Sequence, residues 1–458
     1  MALSLLKIQL DKSQRLSNFS QTTLTPRQLQ YAAVDAAILL DLLPILTRRL
    51  KAARLMNIAE IEFEAVSAVA GMELNGMLLD AAKMSILNQE LYAKKQIYLN
   101  ELKVLNPGRR IQLSFFPETA DTVNLDSPSQ VLKAFKHLGI PVTSTGKKVL
   151  IPLQNEYPII KSLLEYRKYS KLISTYVQGL PTHINPTTGR IHPSYLQCGT
   201  RSGRFACRNP NLQNIPRDKA IRSCFIAQPG YTIIRADYSQ IELRIVAKIS
   251  GESRMIEAYK NGEDLHTLTA SLITGKPICE ITAEDRRLAK AINFGLIYGM
   301  GQSKLKVYAE TEYGVIMTLQ EATKFRKRFF QAYPGLKRWH EHIKETVYET
   351  SKQAIRTMRG RRRRWSTNPP LSELFNHPVQ GSNADFLKMA LGKLYIPLAE
   401  IGALLIGVVH DEIILECPND FVFRASEILK HYMIEPAAIA LHPIPVEVEV
   451  KVGATWAG

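Results

Sequence analysis

Two carboxylates at the ends of apolar segments are the first residues in this sequence whose placement predicts chemistry. Asp237 follows the apolar run at 231–236, and Asp411 lies with His410 and Glu412 between two strongly apolar segments. Asn-Gly would be the usual choice for so tight a connection, so the sequence His-Asp-Glu indicates a turn with a role other than stability. Carboxylates from two neighbouring strands can hold two Mg²⁺ ions in phosphoryl transfer. The alternatives are a helix cap at the first site and a solvated hairpin tip at the second.

A second pattern places two cations and two aromatic side chains at intervals of four residues. Arg286, Lys290, Phe294 and Tyr298 form one stripe, about 18 Å long, if the segment is helical. The cationic half suits a triphosphate, and the aromatic half suits a stacked base. The alternative is an ordinary amphipathic helix with solvated cations and buried aromatics.

The elements that must position these residues follow from apolar periodicity. Residues 25–50 predict a helix, with Thr25 as its N-cap and Pro26 at its first position. Residues 58–180 are mostly helical by pattern, interrupted by a polar stretch at 106–129. From residue 189 onward, short β-rich pieces bracket a helix-rich section at 251–375. This order predicts an α+β fold, in which a sheet domain carries a helical insertion.

Composition limits the class of protein. The 458 residues suffice for about three domains. Lys and Arg number 59 against 42 Asp and Glu, a net charge of +17 that indicates a polyanionic partner. The five cysteines are scattered and lack zinc-site spacing, which indicates reduced thiols in a cytosol-like compartment. No stretch approaches the ~20 apolar residues that a membrane helix needs, so we expect no membrane partner.

Together these patterns resemble motifs A, B and C of family A DNA polymerases, the bacterial DNA polymerase I type. DYSQIELR from Asp237 matches motif A, RRLAKAINFGLIYGMG from Arg286 matches motif B, and VHDE from Val409 matches motif C. The resemblance covers residues 58–458. Further matching segments are EYRKYSKLISTY, SGRFACRNPNLQNIP, DLHTLTA, TMRGRRR and NHPVQGSNAD.

The resemblance implies a right-hand polymerase fold: a palm with an antiparallel sheet, and helical fingers and thumb. The thumb is expected at 58–185, the palm at 186–250 and 376–458, and the fingers at 251–375. Residues 1–57 are expected to be the C-terminal remnant of a ribonuclease-H-like 3′–5′ exonuclease domain.

The implied reaction is DNA-templated DNA synthesis, in which the primer 3′-hydroxyl attacks the α-phosphorus of a dNTP and pyrophosphate leaves. By resemblance, Asp237 and Asp411 ligate two Mg²⁺ ions, for which Mn²⁺ can substitute. The backbone carbonyl of Tyr238 assists, and Glu412 lies nearby. In such a reaction the protein supplies position and charge neutralisation. The implied partners are primer-template DNA and dNTPs.

The resemblance also assigns nucleotide and DNA contacts. Arg286 and Lys290 would grip the triphosphate, Lys290 would assist the leaving pyrophosphate, and Glu242 would exclude a ribose 2′-hydroxyl. The full nucleotide-binding set is Gln240, Glu242, His266, Arg286, Lys290, Phe294 and Tyr298. The implied DNA contacts, which suit the minor groove, are Arg204, Asn211, Gln213, Asn214, Gln380 and His410. For any single Asn or Gln, a structural loop bond is an equal alternative.

Two segments depart from the family pattern. LTPRQLQYAAVDAAILLDL resembles the last motif of a ribonuclease-D-like exonuclease, with Tyr31 and Asp35 in the catalytic places. The residues before Tyr31 contain a single acid, Asp11, so we expect no proofreading by this chain. Ser372 stands where the family usually has Arg, so we expect one template or primer contact to be missing or to be replaced by the arginines at 359–364. These arginines are predicted to contact phosphate, and a nuclear-import-like run is the alternative.

Two other readings remain open: a two-metal nuclease, and a DNA-binding protein with a decayed active site. The first is disfavoured because its motif is incomplete, and the second because Asp237, Asp411, Arg286 and Lys290 are all present. We expect a monomer in DNA replication or repair. Its expected location is cytoplasmic and nucleoid-associated in a bacterial or phage setting, and an organellar origin stays open.

Overall fold

The computed structural model describes residues 1–105, 123–349 and 354–458. Most of the polar stretch noted at 106–129 therefore lies outside the described residues. The helices are α1 (Ala2–Leu6), α2 (Pro26–Ala52), α3 (Met56–Glu64), α4 (Val66–Asn75), α5 (Ala81–Glu101), α6 (Pro128–His137), α7 (Lys147–Leu150), α8 (Pro158–Lys171), α9 (Lys219–Arg222), α10 (Ile241–Ser250), α11 (Ser253–Lys260), α12 (Leu265–Thr274), α13 (Ala283–Ile297), α14 (Gln302–Tyr313), α15 (Leu319–Ala332), α16 (Pro334–Lys344), α17 (Leu371–Glu400) and α18 (Val422–Leu441). The strands are β1 (Met77–Leu78), β2 (Arg190–Ile191), β3 (Ser194–Leu196), β4 (Ala206–Arg208), β5 (Tyr231–Tyr238), β6 (Ala354–Arg356), β7 (Arg362–Arg364), β8 (Leu404–Val409), β9 (Glu412–Pro418) and β10 (Val448–Gly453).

The region expected to be the palm is built on a four-stranded antiparallel sheet in the order β10-β5-β9-β8. The two predicted strand regions are present, and β5 extends two residues further than expected, to include Asp237 and Tyr238. Strands β8 and β9 form a hairpin in which Val409 pairs with Glu412, so only His410 and Asp411 make the turn. The tyrosine at the end of β5 packs away from Asp237, because alternate strand residues face opposite sides of a sheet. Its hydroxyl donates to the carbonyl of Met433 on α18 at 2.6 Å, which places α18 behind the sheet.

The section at 251–375, which is expected to form the fingers, is mostly helical where the structure describes it. Helix α13 packs against α12 and α14, and its buried face includes Ala291, Ile292 and Leu296. A capping box starts this helix: Thr282 and Asp285 exchange side-chain and backbone hydrogen bonds. The register of α13 is thus fixed both locally and by packing.

The thumb has a small core of its own. Leu105, Val131, Phe135 and Leu163 are among its buried residues, and α5 packs against α8. Helices α3 and α4, most of which the sequence assigned to the thumb, pack instead on α17 and β8 of the palm. The reason is electrostatic as well as apolar, since Glu62 of α3 pairs with Arg361 and with Lys388 of α17.

The N-terminal region contains the predicted capped helix. Thr25 accepts from the backbone of Gln28, whose side chain reciprocates, and Pro26 is the first residue of α2. By length and composition alone, α2 is long and apolar enough to cross a membrane, and only 11% of its most apolar window is buried. The expectation that no segment approaches this length was therefore wrong. It failed because Asp35 and Asp41 interrupt the apolar residues of α2, so that no apolar run is unbroken, although the helix remains apolar on average.

Candidate active site

The palm sheet aligns carboxylates in one row. Asp237 on β5 pairs with Glu412 on β9 and with Glu449 on β10, and register partners in antiparallel strands project from the same face. Asp411 joins them from the turn, where His410 adopts a left-handed conformation (φ 57°) that few non-glycine residues tolerate. Burial, together with the charges of Asp411 and Glu412, raises the pKa of Asp237 to about 6. The two predicted metal ligands are therefore close enough to repel each other.

Asn383 on α17 is a site residue that sequence reasoning missed. Its amide Nδ2 donates to Oδ1 of Asp411 at 2.6 Å, and the residue is 2% exposed. The other amide atom, Oδ1, is buried without a hydrogen-bond partner among the described residues. Asn383 lies in the segment NHPVQGSNAD, so its neighbourhood was identifiable, but its bond to a carboxylate 28 residues away was not.

Glu412 is held on both oxygens by the protein. Its Oε1 accepts from Nε1 of Trp456 at 2.5 Å, and its Oε2 lies 3.4 Å from Nη1 of Arg222. The Arg222 guanidinium also lies over the Trp456 ring, 4.3 Å from its centroid. Glu412 was predicted to be catalytic, and this arrangement suits a buried charge that positions the strand and acts on Asp237 through its field.

The donor atoms fit a hard divalent cation. Two carboxylates and a backbone carbonyl are oxygen ligands of the type that Mg²⁺ prefers. Only the backbone of Tyr238 is available, because its hydroxyl is used behind the sheet. Within the described ranges, no group of three or more His, Cys, Asp or Glu side chains is arranged to hold a metal ion. The site therefore offers Asp237 and Asp411 as its principal ligands, and mutual repulsion of these two carboxylates favours a cation between them.

The predicted stripe lies on α13 as expected. Arg286 and Lys290 are exposed, and Phe294 and Tyr298 are half-buried against the core. The helix ends at Ile297, so Tyr298 follows its last residue. The two cations and the two aromatic side chains therefore lie along one surface, as their four-residue spacing predicted.

Arg286 is already engaged by a carboxylate that the sequence analysis did not single out. Its Nε donates to Asp264 at 2.5 Å, and its Nη2 donates at 3.3 Å. The same aspartate caps the N-terminus of α12 by accepting from the backbone of His266. Despite partial burial, which opposes the shift, hydrogen bonds from Arg286 and Thr267 hold the pKa of Asp264 at about 2. Asp264 thus positions the arginine that was predicted to bind the triphosphate.

His266 is buried beside the stripe. It is 3% exposed, and burial lowers its pKa to about 4, so the ring is neutral at pH 7. Asn293 donates to Nδ1 at 2.9 Å, which leaves the proton on Nε2. The ring centroid lies 6.0 Å from that of Phe294. His266 can therefore donate a hydrogen bond toward a phosphate, but it adds no charge.

Glu242, the predicted 2′-hydroxyl gate, is clamped between two predicted site residues. Arg204 pairs with one of its oxygens, and the Tyr298 hydroxyl donates to the other. Burial raises the pKa of Glu242. Gln240, at the start of the same helix α10, has a left-handed backbone (φ 52°) and accepts from the Tyr259 hydroxyl at 3.2 Å. The gate is thus fixed from palm and fingers at once.

The predicted DNA contacts fall into two neighbouring depressions. Arg204, Gln213 and His410 line a small cavity together with Asp411 and Asn383. Asn211 and Asn214 line a larger one, of about 530 Å³, with residues from the thumb side that include Lys171, Thr175 and His183. Gln380 is half-buried on α17 and lines neither cavity.

The arginines at 359–364 differ in their surroundings. Arg361 is buried and bonds to Asp385 at 2.7 Å and Glu62 at 2.5 Å, while Arg363 pairs with Glu373. Arg359 donates to a backbone carbonyl of α18. Arg359, Arg362 and Arg364 have no acid partner among the described residues. Two of the five arginines are thus engaged by carboxylates, and the phosphate contact of the segment stays a prediction.

Tyr31 and Asp35 lie with Asp11 around a separate cavity of about 350 Å³. Asp35 forms an ion pair with Lys12 at 2.6 Å, and the same ammonium lies 5.2 Å from the Tyr31 ring centroid. Asp11 accepts from the backbone and hydroxyl of Ser13. Both acids are thus engaged within the protein.

Comparisons with known proteins agree on one family. The sequence model described as DNA polymerase family A matches residues 108–458. DNA polymerase I of Aquifex aeolicus is 35% identical over 99% of this chain and 80% of the relative. Thermostable DNA polymerase I of Thermus aquaticus is also 35% identical, over 87% of this chain. The chain spans about half of the Thermus protein, 48% of its length.

A solved structure matches the whole chain. It is the POL domain of Pol1 from M. smegmatis in complex with DNA primer-template and dNTP, and it aligns with a TM-score of 0.83 at 27% identity. The match covers 100% of this chain and 78% of that one. The right-hand fold expected from the sequence is confirmed.

Proposed function

The chain belongs to DNA polymerase family A and carries that family's DNA-directed DNA polymerase domain, and from this membership we propose that it extends a DNA primer with dNTPs by two-metal-ion nucleotidyl transfer. One observation carries the mechanistic part: Asp237 and Asp411 project from adjacent elements of one sheet, close enough for like charge to raise the pKa of Asp237. The proposed substrates are primer-template DNA and dNTPs, the molecules bound in the related M. smegmatis structure.

Each group in the site has a defined part in the proposed reaction. Asp237, Asp411 and the carbonyl of Tyr238 would hold Mg²⁺, which would lower the cost of charge on the attacking and leaving oxygens. Arg286 and Lys290 bind the triphosphate from the fingers, and Lys290 neutralises the departing pyrophosphate. His266 donates a neutral hydrogen bond. Because the carboxylates and the cations belong to different subdomains, closing of the fingers on a dNTP brings the two sets together.

The sugar is selected by Glu242. Arg204 and Tyr298 hold its carboxylate in one place, so a ribose 2′-hydroxyl meets a fixed side chain rather than one that can swing aside. DNA is therefore the proposed product.

Primer extension tests the proposal. We expect the wild-type protein to extend a labelled primer with Mg²⁺ and dNTPs, and Asp411→Ala to lose at least about a thousandfold in rate, because the two-carboxylate site is broken. Asp420→Ala is the matched control, since Asp420 is an exposed palm carboxylate beyond the end of β9. A folded wild-type protein that binds the duplex without extending it would support the decayed binding-protein alternative.

We also propose that this chain does not proofread. The ion pair of Asp35 with Lys12 and the hydrogen bonds of Asp11 from Ser13 support this, because both carboxylates are already engaged within the protein. A lane with Mg²⁺ but no dNTPs tests it: the primer should stay intact. Shortening of the primer from its 3′ end would contradict the proposal.

A further inference from the structure

A cation-lined cavity of about 240 Å³ opens beside Asp237, on the side of the palm sheet away from the turn of Asp411. Five cations line it: Arg217, Lys219, Arg222, Arg235 and Lys451. The nucleotide and DNA contacts inferred above use none of them.

The sheet register builds this cavity. Arg235 lies two residues before Asp237 on β5, and Lys451 is its register partner on β10. Both therefore project from the face that carries the row of Asp237 and Glu449, displaced by about 6.8 Å along the strand. A row of cations thus directly follows the row of catalytic carboxylates. Each row is fixed by backbone pairing rather than by flexible loops.

The cations are only partly neutralised. Arg222 pairs with Glu412 and Lys451 with Glu449, at 3.4 and 2.7 Å. Arg217 reaches Asp237 only at 3.7 Å, and its side chain is 78% exposed, so it is free to turn. Lys219 has no acid partner among the described residues. The lining therefore holds five cations against three carboxylates, an excess of two positive charges.

Arg235 gives the second, independent indication of a ligand. One of its terminal nitrogens donates to the carbonyl of Ala457 at 3.2 Å. Its Nε is buried and has no hydrogen-bond partner within the described residues. A buried donor left unsatisfied is costly, so such a group indicates an acceptor that completes the site. The planar guanidinium fork suits a phosphate oxygen pair.

We propose that this cavity is a phosphate-binding site, in which Arg235 and Lys451 bind an anionic phosphate group next to the catalytic carboxylates. The phosphate can come from two sources: a phosphodiester of bound DNA, or free inorganic phosphate or pyrophosphate. Only binding of a DNA phosphodiester rests on the proposed polymerase function. Binding of free phosphate is measured without catalysis, so failure of this phosphate site can be distinguished from failure of the polymerase proposal.

The first experiment measures thermal unfolding in EDTA with and without inorganic phosphate or pyrophosphate, at constant ionic strength set by chloride. We compare the wild type with Arg235→Gln/Lys451→Gln and with the control Arg424→Gln/Lys430→Gln. The control removes one Arg and one Lys that are exposed on α18, behind the sheet. If free phosphate is the ligand, wild type and control should show the same rise in melting temperature, and the double variant should lose it. If the rise in melting temperature persists in the double variant but disappears in Lys290→Gln, the anion binds on the fingers. That result would contradict binding of free phosphate in this cavity.

The second experiment measures duplex affinity against salt concentration for the same proteins. Each phosphate contact removed should reduce the slope of log K against log salt by about 0.9. If a phosphodiester is the ligand, the slope should fall by about one to two in the double variant and stay constant in the control. The single variant Lys451→Gln keeps the test valid if the double variant fails to fold, because the Lys451 side chain is 48% exposed and its replacement should leave the fold intact. If neither the phosphate shift nor the salt slope differs from the control, the proposal is wrong.

Discussion

Asp411 takes its orientation from one buried amide. The turn that carries it has only two residues, and the left-handed His410 leaves little freedom in the backbone. Asn383 donates to one carboxylate oxygen and leaves the other free to face a cation. Groups that orient metal ligands typically change metal affinity or activity by 10- to 100-fold when they are removed.

We therefore expect Asn383→Ala to lower kcat about tenfold at limiting Mg²⁺, with the KM for dNTP nearly unchanged, because the triphosphate is held on the fingers. Higher Mg²⁺ should restore part of the rate. Primer-extension kinetics over a Mg²⁺ series give the measurement. Asn261→Ala, at an exposed turn of the fingers, is the control. An unchanged rate at every Mg²⁺ concentration would show that Asp411 does not need this bond.

Asp264 makes stability depend on pH. Its pKa is about 2 in the folded protein against an ordinary value of 3.8, so the folded state prefers the charged form. The resulting stabilisation is complete above about pH 4 and is lost as pH falls toward 2. Asp264→Asn retains a side chain that can cap α12. We expect this variant to have a free energy of unfolding about 1 kcal/mol lower than the wild type at pH 6, after allowing for solvent screening.

Urea unfolding of both proteins between pH 6 and pH 3 measures this difference. The difference should be nearly constant between pH 6 and about pH 4 and should shrink as the pH falls from there to 3. Asp420→Asn provides the control, because that carboxylate is exposed and lies outside the fingers. A difference that is constant with pH would mean that the charge of Asp264 is not the source of the effect.

At the level of elements, the docking of α3 on α17 depends on a buried charge network. Glu62 bonds to Arg361 at 2.5 Å and to Lys388 at 2.6 Å, and Lys388 is fully buried. Asp385 provides the second anion of the network. Removing one member of such a set leaves uncompensated buried charge, which typically costs 3–5 kcal/mol.

Glu62→Gln should accordingly destabilise the protein by about 3 kcal/mol, seen as a lower urea midpoint in the transition that unfolds the palm. Glu60→Gln, an exposed neighbour on the same helix, should change the midpoint little. Equal midpoints for the two variants would indicate that apolar packing alone holds α3 in place.

For the molecule as a whole, charge governs the interaction with DNA. A net charge of +17 on folded surfaces attracts a polyanion, and binding through phosphates releases counterions. For about six phosphate contacts, the slope of log K against log salt should be near −5. Fluorescence anisotropy of a labelled primer-template from 50 to 300 mM KCl measures it. A slope shallower than about −2 would show that the basic surfaces lie away from the DNA.

The sequence alone was enough to predict features that depend on local pattern. The apolar runs located β5, β8 and β9, and the four-residue spacing located the stripe on α13. Both could be predicted because the repeat of a strand or a helix shows in the order of neighbouring residues. The capped start of α2 followed from Thr25 and Pro26 for the same reason. Asp237 and Asp411 were recognisable because each follows such a run.

Tertiary structure alone decided which partner each polar group has. Asn383 reaches Asp411, Trp456 reaches Glu412, and Arg361 is neutralised by Glu62, which lies 299 residues away in the chain. Periodicity shows which face of an element is buried, but it does not show which distant residue meets that face. Whether a charged side chain stays in solvent or is buried in an ion pair depends on that distant residue. The reason is that the cost of burying a charge is offset only by a specific partner at hydrogen-bonding distance.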